Sequence, residues 1–112
     1  MARILIVEDE MLVAMLLEDV VMDLGHEVVG PAMRLEAALL AAEEEQFDFA
    51  ILDINLAGKQ SFPVADRLRE RSIPFMFASG YGARGLEEAY RTVPVLQKPY
   101  SQAQLEALLR NI

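Results

Sequence analysis

The sequence of 112 residues contains no cysteine, a single histidine and no apolar run that approaches the length of a membrane span. Without cysteine, the chain can form neither a disulfide framework nor a thiolate metal site. The lack of an apolar span and of a signal-peptide pattern argues against membrane insertion and secretion. Hydrophobic residues still make up 54% of the chain, enough for one proper core at this length. We therefore expect one folded domain over residues 1–112, in the cytoplasm.

Basic residues are also scarce, and the formal net charge is -8. Nucleic acid is therefore not expected as a direct partner, because neutralising its phosphates needs a basic face. The charge is unevenly distributed, since residues 1–56 carry 13 acidic and 2 basic side chains while residues 57–112 carry 5 and 8. An acidic solvated face would explain this bias, and carboxylates gathered around a cation would add to it.

Five short apolar runs alternate along the chain with five segments of helical spacing. The predicted strands are residues 3–7, 27–30, 49–53, 74–78 and 93–97, and the predicted helices are residues 10–24, 35–46, 61–71, 86–91 and 101–110. Residues 54–60 are predicted to form a loop, Ser61 is a plausible N-cap, and Ser101 with Gln104 has the spacing of a capping box. This alternation predicts an α/β fold with a parallel sheet, right-handed crossovers and helices on both faces.

Polar groups follow four of the five predicted strands at the point where each strand ends. They are Glu8 with Asp9, Asp53, Ser79 and Lys98. Parallel strands put these ends on one edge of the sheet, where three carboxylates would repel each other unless a cation intervened. Magnesium suits oxygen ligands of this kind, and an oxygen of Asp53 could attack phosphorus. Lys98 and magnesium would then supply positive charge, and Ser79 a hydrogen-bond donor.

These residues give the chain a resemblance to the response-regulator receiver domains of two-component signalling, over essentially its full length. The resemblance implies a flavodoxin-like, doubly wound (βα)5 sheet of strand order 2-1-3-4-5. It implies phosphoryl transfer to Asp53 from a histidine kinase or a histidine phosphotransfer protein. It further implies bound Mg2+, with Glu8, Asp9, Asp53 and the backbone carbonyl of Asn55 as ligands. His26, the single histidine, is predicted to lie in a surface turn, so the chain has no obvious phosphohistidine of its own.

Residues 74–81 also resemble the "FAT GUY" group of stand-alone receivers, with Ser79 in place of the usual threonine. The chain departs from the common receiver pattern at Val95, where many receivers carry an aromatic switch residue three positions before the lysine. We therefore expect Ser79 and Tyr81, which lies between two glycines, to form the switch.

The first predicted helix has more apolar residues than one buried stripe requires. Its predicted buried stripe consists of Val13, Leu16, Leu17, Val20 and Leu24. Met11, Ala14, Met15 and Met22, with Glu18 among them, are predicted to face water. Met11, Ala14, Met15 and Glu18 are predicted to dock the phosphodonor together with the loop at Pro99. The chain is expected to act as a monomer or weak dimer, without an output domain.

Two other functions are alternatives to phosphoacceptance. A flavodoxin-like ligand-binding or nucleotide-binding module would need a phosphate-binding loop after the first strand, where Glu8, Asp9 and Glu10 would repel phosphate. A phosphatase with an aspartyl nucleophile would need a second aspartate two residues after Asp53, and Asn55 stands there. We therefore expect no enzymatic activity beyond phosphorylation and dephosphorylation of the chain itself.

Overall fold

The computed structural model describes residues 2–56, 58–79, 90, 92–97 and 101–110. The strands are β1 (Arg3–Val7), β2 (Glu27–Ala32), β3 (Phe49–Asp53), β4 (Asn55–Leu56), β5 (Lys59–Gln60), β6 (Phe75–Ser79) and β7 (Val95–Gln97). The helices are α1 (Met11–Asp23), α2 (Leu35–Glu44), α3 (Phe62–Glu70) and α4 (Gln102–Leu109). The helix predicted over residues 86–91 lies outside the described residues apart from Tyr90.

Five strands form one parallel sheet in the order β2-β1-β3-β6-β7. Counted among these five alone, the order is 2-1-3-4-5, so the predicted flavodoxin-like fold is confirmed. The two most apolar strands, β1 and β3, lie inside the sheet, because strands covered on both faces need apolar side chains on both. Among the described residues, no helix is long and apolar enough to cross a membrane.

Two hydrophobic clusters cover the two faces of the sheet. One contains Leu5, Val7, Ala50, Leu52 and Phe77 with side chains from α2 and α3, and the other contains Ile4, Ile6, Ile51, Met76 and Ala78 with side chains from α1 and α4. Alternate residues of each strand therefore belong to different clusters, as the two-residue repeat of a strand requires. Tyr90 is buried in the first cluster, stacked on Phe62 with ring centroids 5.4 Å apart.

Helix α1 is rotated relative to its prediction. It buries Ala14, Leu17, Val20 and Val21, while Val13, Leu16 and Leu24 pack partly buried against the second cluster. Ala14 is only 2% exposed, so the prediction that it faces water is wrong. Ten of the thirteen residues of α1 are apolar, so the hydrophobic periodicity left the rotation of this helix undetermined.

The remaining differences are local. Residues 54–60 contain the antiparallel pair β4 and β5 where a loop was predicted, with Gly58 in the left-handed region at φ +86° in its turn. Strand β2 continues two residues beyond its predicted end, through Pro31 to Ala32. Ser101 forms the predicted capping box with Gln104. Ser61 occupies the N-cap position of α3 but its side chain makes no capping hydrogen bond.

Candidate functional site

The register of the sheet brings the predicted acidic residues to one edge. Val7 of β1 lies opposite Leu52 of β3. Glu8 and Asp53, the residues that follow them, therefore both lie at the carboxyl edge of the sheet. Asp53 lies in turn opposite Ala78, the residue before Ser79. The ends of β1, β3 and β6 are therefore aligned at the carboxyl edge, which is where open α/β sheets bind their ligands.

The turn between β1 and α1 gathers three carboxylates. Glu8, Asp9 and Glu10 each offer an oxygen, and these oxygens lie within 4.8 Å of one another. Glu8 is fully buried, Asp9 is partly buried and Glu10 is exposed. An oxygen of Glu8 accepts a hydrogen bond from the Glu10 backbone amide at 3.1 Å, which closes the turn. Hard oxygen ligands on a tight turn suit a divalent cation such as magnesium.

Asp53 is a buried carboxylate at the last position of central strand β3. Its Oδ1 accepts a long hydrogen bond, 3.4 Å, from the backbone amide of Asn55. The Ser61 amide donates to the Ile54 carbonyl, and Asn55 lies opposite Gln60 in the next pair of the antiparallel ladder. Hydrogen-bonded and non-hydrogen-bonded pairs alternate in such a ladder, so the Asn55 amide and carbonyl both point away from Gln60.

The β4–β5 hairpin that follows Asp53 is held to α2 by an exposed ion pair. Lys59 of β5 donates to Glu36, in the first turn of α2, at 3.0 Å. The pKa of Glu36 is lowered by a hydrogen bond from the Glu36 backbone amide. The hydrogen bond from Lys59 and the positive charge of Lys59 lower this pKa further. Beside this pair is a cleft of about 210 Å³ that Arg34, Leu35 and Leu56 also line. An exposed pair of opposite charges therefore links the β4–β5 hairpin to the start of α2.

Several predicted site residues cannot be compared with the structure. Lys98, Pro99 and Tyr81 lie outside the described residues, and only the backbone of Ser79 is described. Of the predicted docking residues, Met11 and Met15 are 64% and 53% exposed, and Glu18 is partly exposed. Met22 is exposed on α1 as predicted, and Leu12, which the prediction did not name, is exposed there too.

Two residues that the prediction left out matter at this edge. Glu10 is part of the acidic group, and its position directly after the Glu8-Asp9 pair was the available signal. Gly30 is the second, because it lies in an irregularity where β2 pairs with β1, next to the acidic turn. A glycine and a proline near the end of a strand favour such an irregularity, but its effect on Glu8 depends on the pairing of two strands.

Comparisons with known proteins agree with this geometry. The model of the response regulator receiver domain matches residues 4–110. The chain is 37% identical over 111 residues to the phyllosphere-induced regulator PhyR of Methylorubrum extorquens, a match that covers 96% of this chain and 42% of PhyR. The chain spans about half the length, or less, of the curated relatives it matches.

Solved structures of full-length similarity also exist. The solution structure of SdrG from Sphingomonas melonis Fr1 has 42% sequence identity and a TM-score of 0.87, and the match covers 98% of this chain and 94% of SdrG. The BeF3-activated conformation of SdrG from Pseudomonas melonis Fr1 has 42% identity and a TM-score of 0.81, with 96% and 92% coverage. The fold, the acidic edge and these matches together show that the chain belongs to the response regulator receiver domains of two-component signalling.

Proposed function

We propose that this receiver accepts a phosphoryl group on Asp53 from the phosphohistidine of a histidine kinase or a histidine phosphotransfer protein. The observation that carries the proposal is the placement of Asp53, a buried carboxylate that ends a central strand in register with the acidic turn after β1. A carboxylate oxygen of Asp53 attacks phosphorus, the bond between phosphorus and the histidine nitrogen breaks, and the nitrogen keeps the electron pair. The chain catalyses only this transfer and the later hydrolysis of its own acyl phosphate.

The transfer is proposed to depend on magnesium. Glu8, Asp9 and Asp53 would hold the ion, together with the Asn55 carbonyl, and Glu10 adds a third carboxylate to the turn. This donor set fits the ion because it consists of oxygen atoms alone and carries an excess of negative charge. When bound, magnesium supplies positive charge to the oxygens of the transferring phosphoryl group.

Ser79 and Lys98 complete the proposed site. The Lys98 ammonium neutralises charge on the phosphoryl oxygens, and the Ser79 hydroxyl donates a hydrogen bond to one of them. Phosphorylation adds about -1.5 to -2 charges at Asp53. We assign the conformational change that follows phosphorylation to Ser79 and Tyr81. Val95 cannot act as the switch residue, because it has no aromatic ring that could change rotamer.

The exposed apolar side chains of α1 are proposed to dock the phosphodonor. Met11, Leu12 and Met15 are exposed on a helix that begins two residues after Asp9, so a partner helix on this surface would lie beside the acceptor edge. Glu18 and the loop at Pro99 are assigned to the same surface. Ala14 is buried and is not part of it. Methionine suits a surface that adapts to more than one partner.

The docking surface can be separated from the chemistry by comparing two donors. Replacing Met11 and Met15 with lysine should slow phosphotransfer from the cognate kinase and leave labelling by acetyl phosphate unchanged. Leu108 of α4, another exposed apolar residue, offers a control, and Leu108→Lys should change neither reaction. Equal loss of both reactions in the α1 variant would mean a damaged fold, and loss of neither would remove α1 from the docking surface.

Phosphoacceptance itself is tested with acetyl phosphate and magnesium. Intact-mass measurement should detect one phosphate adduct on the wild-type protein and none on Asp53→Asn. Asp48→Asn is the matched control, since Asp48 lies just before β3, at the end of the strand opposite to Asp53, and its replacement should leave the adduct unchanged. An undiminished adduct on Asp53→Asn would overturn the assignment.

We propose that residues 1–112 act as one receiver domain, in the cytoplasm, as a monomer or weak dimer that binds its partners differently once phosphorylated. The BeF3-activated conformation of SdrG supports a switch of this kind, because that protein changes state with a phosphate-like group. Measuring the molecular mass of the protein in solution, with and without BeF3, would test the proposed oligomeric state.

A further inference from the structure

The strand β2 carries one residue more than β1 where the two strands approach the acidic turn. Leu5 lies opposite Val29, but Val7 lies opposite Ala32, so β1 advances by two residues while β2 advances by three. Gly30 and Pro31 together face Ile6. This is a bulge, which bends a strand and changes the direction in which its end points.

The bulge places the end of β2 against the first acidic residue. Because of the extra residue, the Ala32 carbonyl reaches the Glu8 backbone amide and accepts its hydrogen bond at 3.0 Å. Glu8 in turn accepts a hydrogen bond from the Glu10 amide through its carboxylate. The acidic turn is thus held at both ends, at its start by β2 and at its close by Glu8 itself.

Only glycine fits the bulge. Gly30 has φ +91°, where L side chains are strained, and a Cβ added to it would lie 2.8 Å from the Ala32 amide nitrogen and 3.0 Å from the Ile6 carbonyl oxygen. Both atoms belong to the backbone, so neither can swing aside. A side chain at position 30 would therefore push β2 and β1 apart directly beside the bond between Ala32 and Glu8.

Three carboxylates at this spacing repel one another, and a looser turn would let them separate. Ligands that are free to separate bind a cation less tightly, because their convergence must then be restored on binding. We propose that Gly30 is a positioning residue of the magnesium site, which it controls from the neighbouring strand through the Ala32 carbonyl and the Glu8 amide. This inference rests on the proposed function, because that function supplies the magnesium site.

Gly25 provides a matched control. It also has a positive φ, +84°, but a Cβ added there would meet no atom within 4 Å. Gly25→Ala therefore introduces the same backbone strain without displacing a strand. The experiment measures the magnesium dissociation constant of the wild type, Gly25→Ala and Gly30→Ala by following the amide NMR signals of residues 8–10 during titration. Gly30→Ala should weaken binding by about tenfold, as the loss of support around a metal site typically does, and Gly25→Ala should not change it.

A second measurement needs no variant and decides the matter if Gly30→Ala does not fold. In the wild-type protein, magnesium should shift the amide signals of Gly30 and Ala32 and slow hydrogen exchange at the Glu8 amide. Shifts confined to residues 8–10 and 53–55, or equal affinities in all three proteins, would overturn the role of Gly30 and leave the proposed function standing. If magnesium shifted no signal of the wild type, the magnesium site itself would be wrong, and the inference with it.

Discussion

The two edges of the parallel sheet differ in how their charged side chains are arranged. At the amino end, Arg3 begins β1 and Glu27 begins β2, and their side chains form an ion pair at 2.8 Å. Asp48, just before β3, accepts a hydrogen bond from the Arg3 backbone amide at 2.8 Å. At the carboxyl end, Glu8, Asp9 and Glu10 converge on one another. Opposite charges in register stabilise a fold, whereas converging like charges cost stability.

This contrast supports the location of the proposed functional site at the carboxyl edge of the sheet. The folding of a parallel sheet does not require a group of acidic residues at its carboxyl edge, and at the amino edge of this sheet an acidic and a basic residue form an ion pair instead. Carboxylates gathered at the carboxyl edge lie where open parallel sheets of this kind bind their ligands. The acidic edge and the family of the chain thus support the same function from independent observations.

The largest expected effect on stability comes from adding magnesium, which is proposed to bind at the acidic edge. Magnesium at ten times its dissociation constant should raise the free energy of unfolding of the wild type by about 1.4 kcal/mol, because it binds the native state. Asp9→Ala should remove most of this gain. Asp48→Ala should keep it, since Asp48 lies at the amino end. Urea unfolding with and without magnesium measures all three, and a gain that Asp48→Ala lost as well would end the distinction between the two edges.

A smaller change in the free energy of unfolding is expected from removing the ion pair at the amino edge. Glu27→Gln removes the ion pair with Arg3, whose two side chains are both partly solvent-exposed. Pairs of this kind contribute less than about 1 kcal/mol, so the free energy of unfolding should fall by that amount or less. The loss should shrink at about 1 M salt, where screening is nearly complete. A loss that magnesium reversed would show that the two edges are not independent.

The smallest effect concerns Glu36 and Lys59, a balanced pair near the acidic edge. The pKa of Glu36 is lowered in the folded protein by its own backbone amide and by Lys59. A lowered carboxyl pKa stabilises the fold above the unfolded pKa and loses this contribution as the pH falls through the folded pKa. The stability difference between wild type and Glu36→Gln should therefore be present near neutral pH and vanish in acid. A difference that grew in acid would contradict this sign.

Much of the fold and the position of the acidic residues at one edge of the sheet follow from the sequence. The buried strands were visible as short apolar runs, and Asp53 was visible as a carboxylate at the end of one of them. The placement of Glu8 and Asp53 at one edge of the sheet followed from its parallel strands alone, because every parallel strand ends at the same edge. These predictions depended on one strong local signal each, which explains why they could be made before any pairing was known.

Other features depend on contacts between elements that are distant in the chain. The rotation of α1 was misjudged at Ala14 because apolar residues occur on several sides of this helix, and the packing against the sheet decides which side is buried. The bulge at Gly30 exists only in relation to Ile6 of the neighbouring strand. Tyr90 packs against Phe62 and Phe77, which are far from it in sequence.

Chemical localisation of the phosphoryl group tests the central claim most directly. The wild-type protein is labelled with acetyl phosphate and magnesium, the acyl phosphate is reduced with borohydride, and the modified position is mapped by peptide mass spectrometry. Reduction converts a phosphorylated aspartate to homoserine and leaves other carboxylates intact. We expect homoserine at position 53 and at no other aspartate. Homoserine at Asp9, Asp48 or Asp66, or a phosphate adduct that borohydride does not change, would contradict the assignment of Asp53 as the phosphoacceptor.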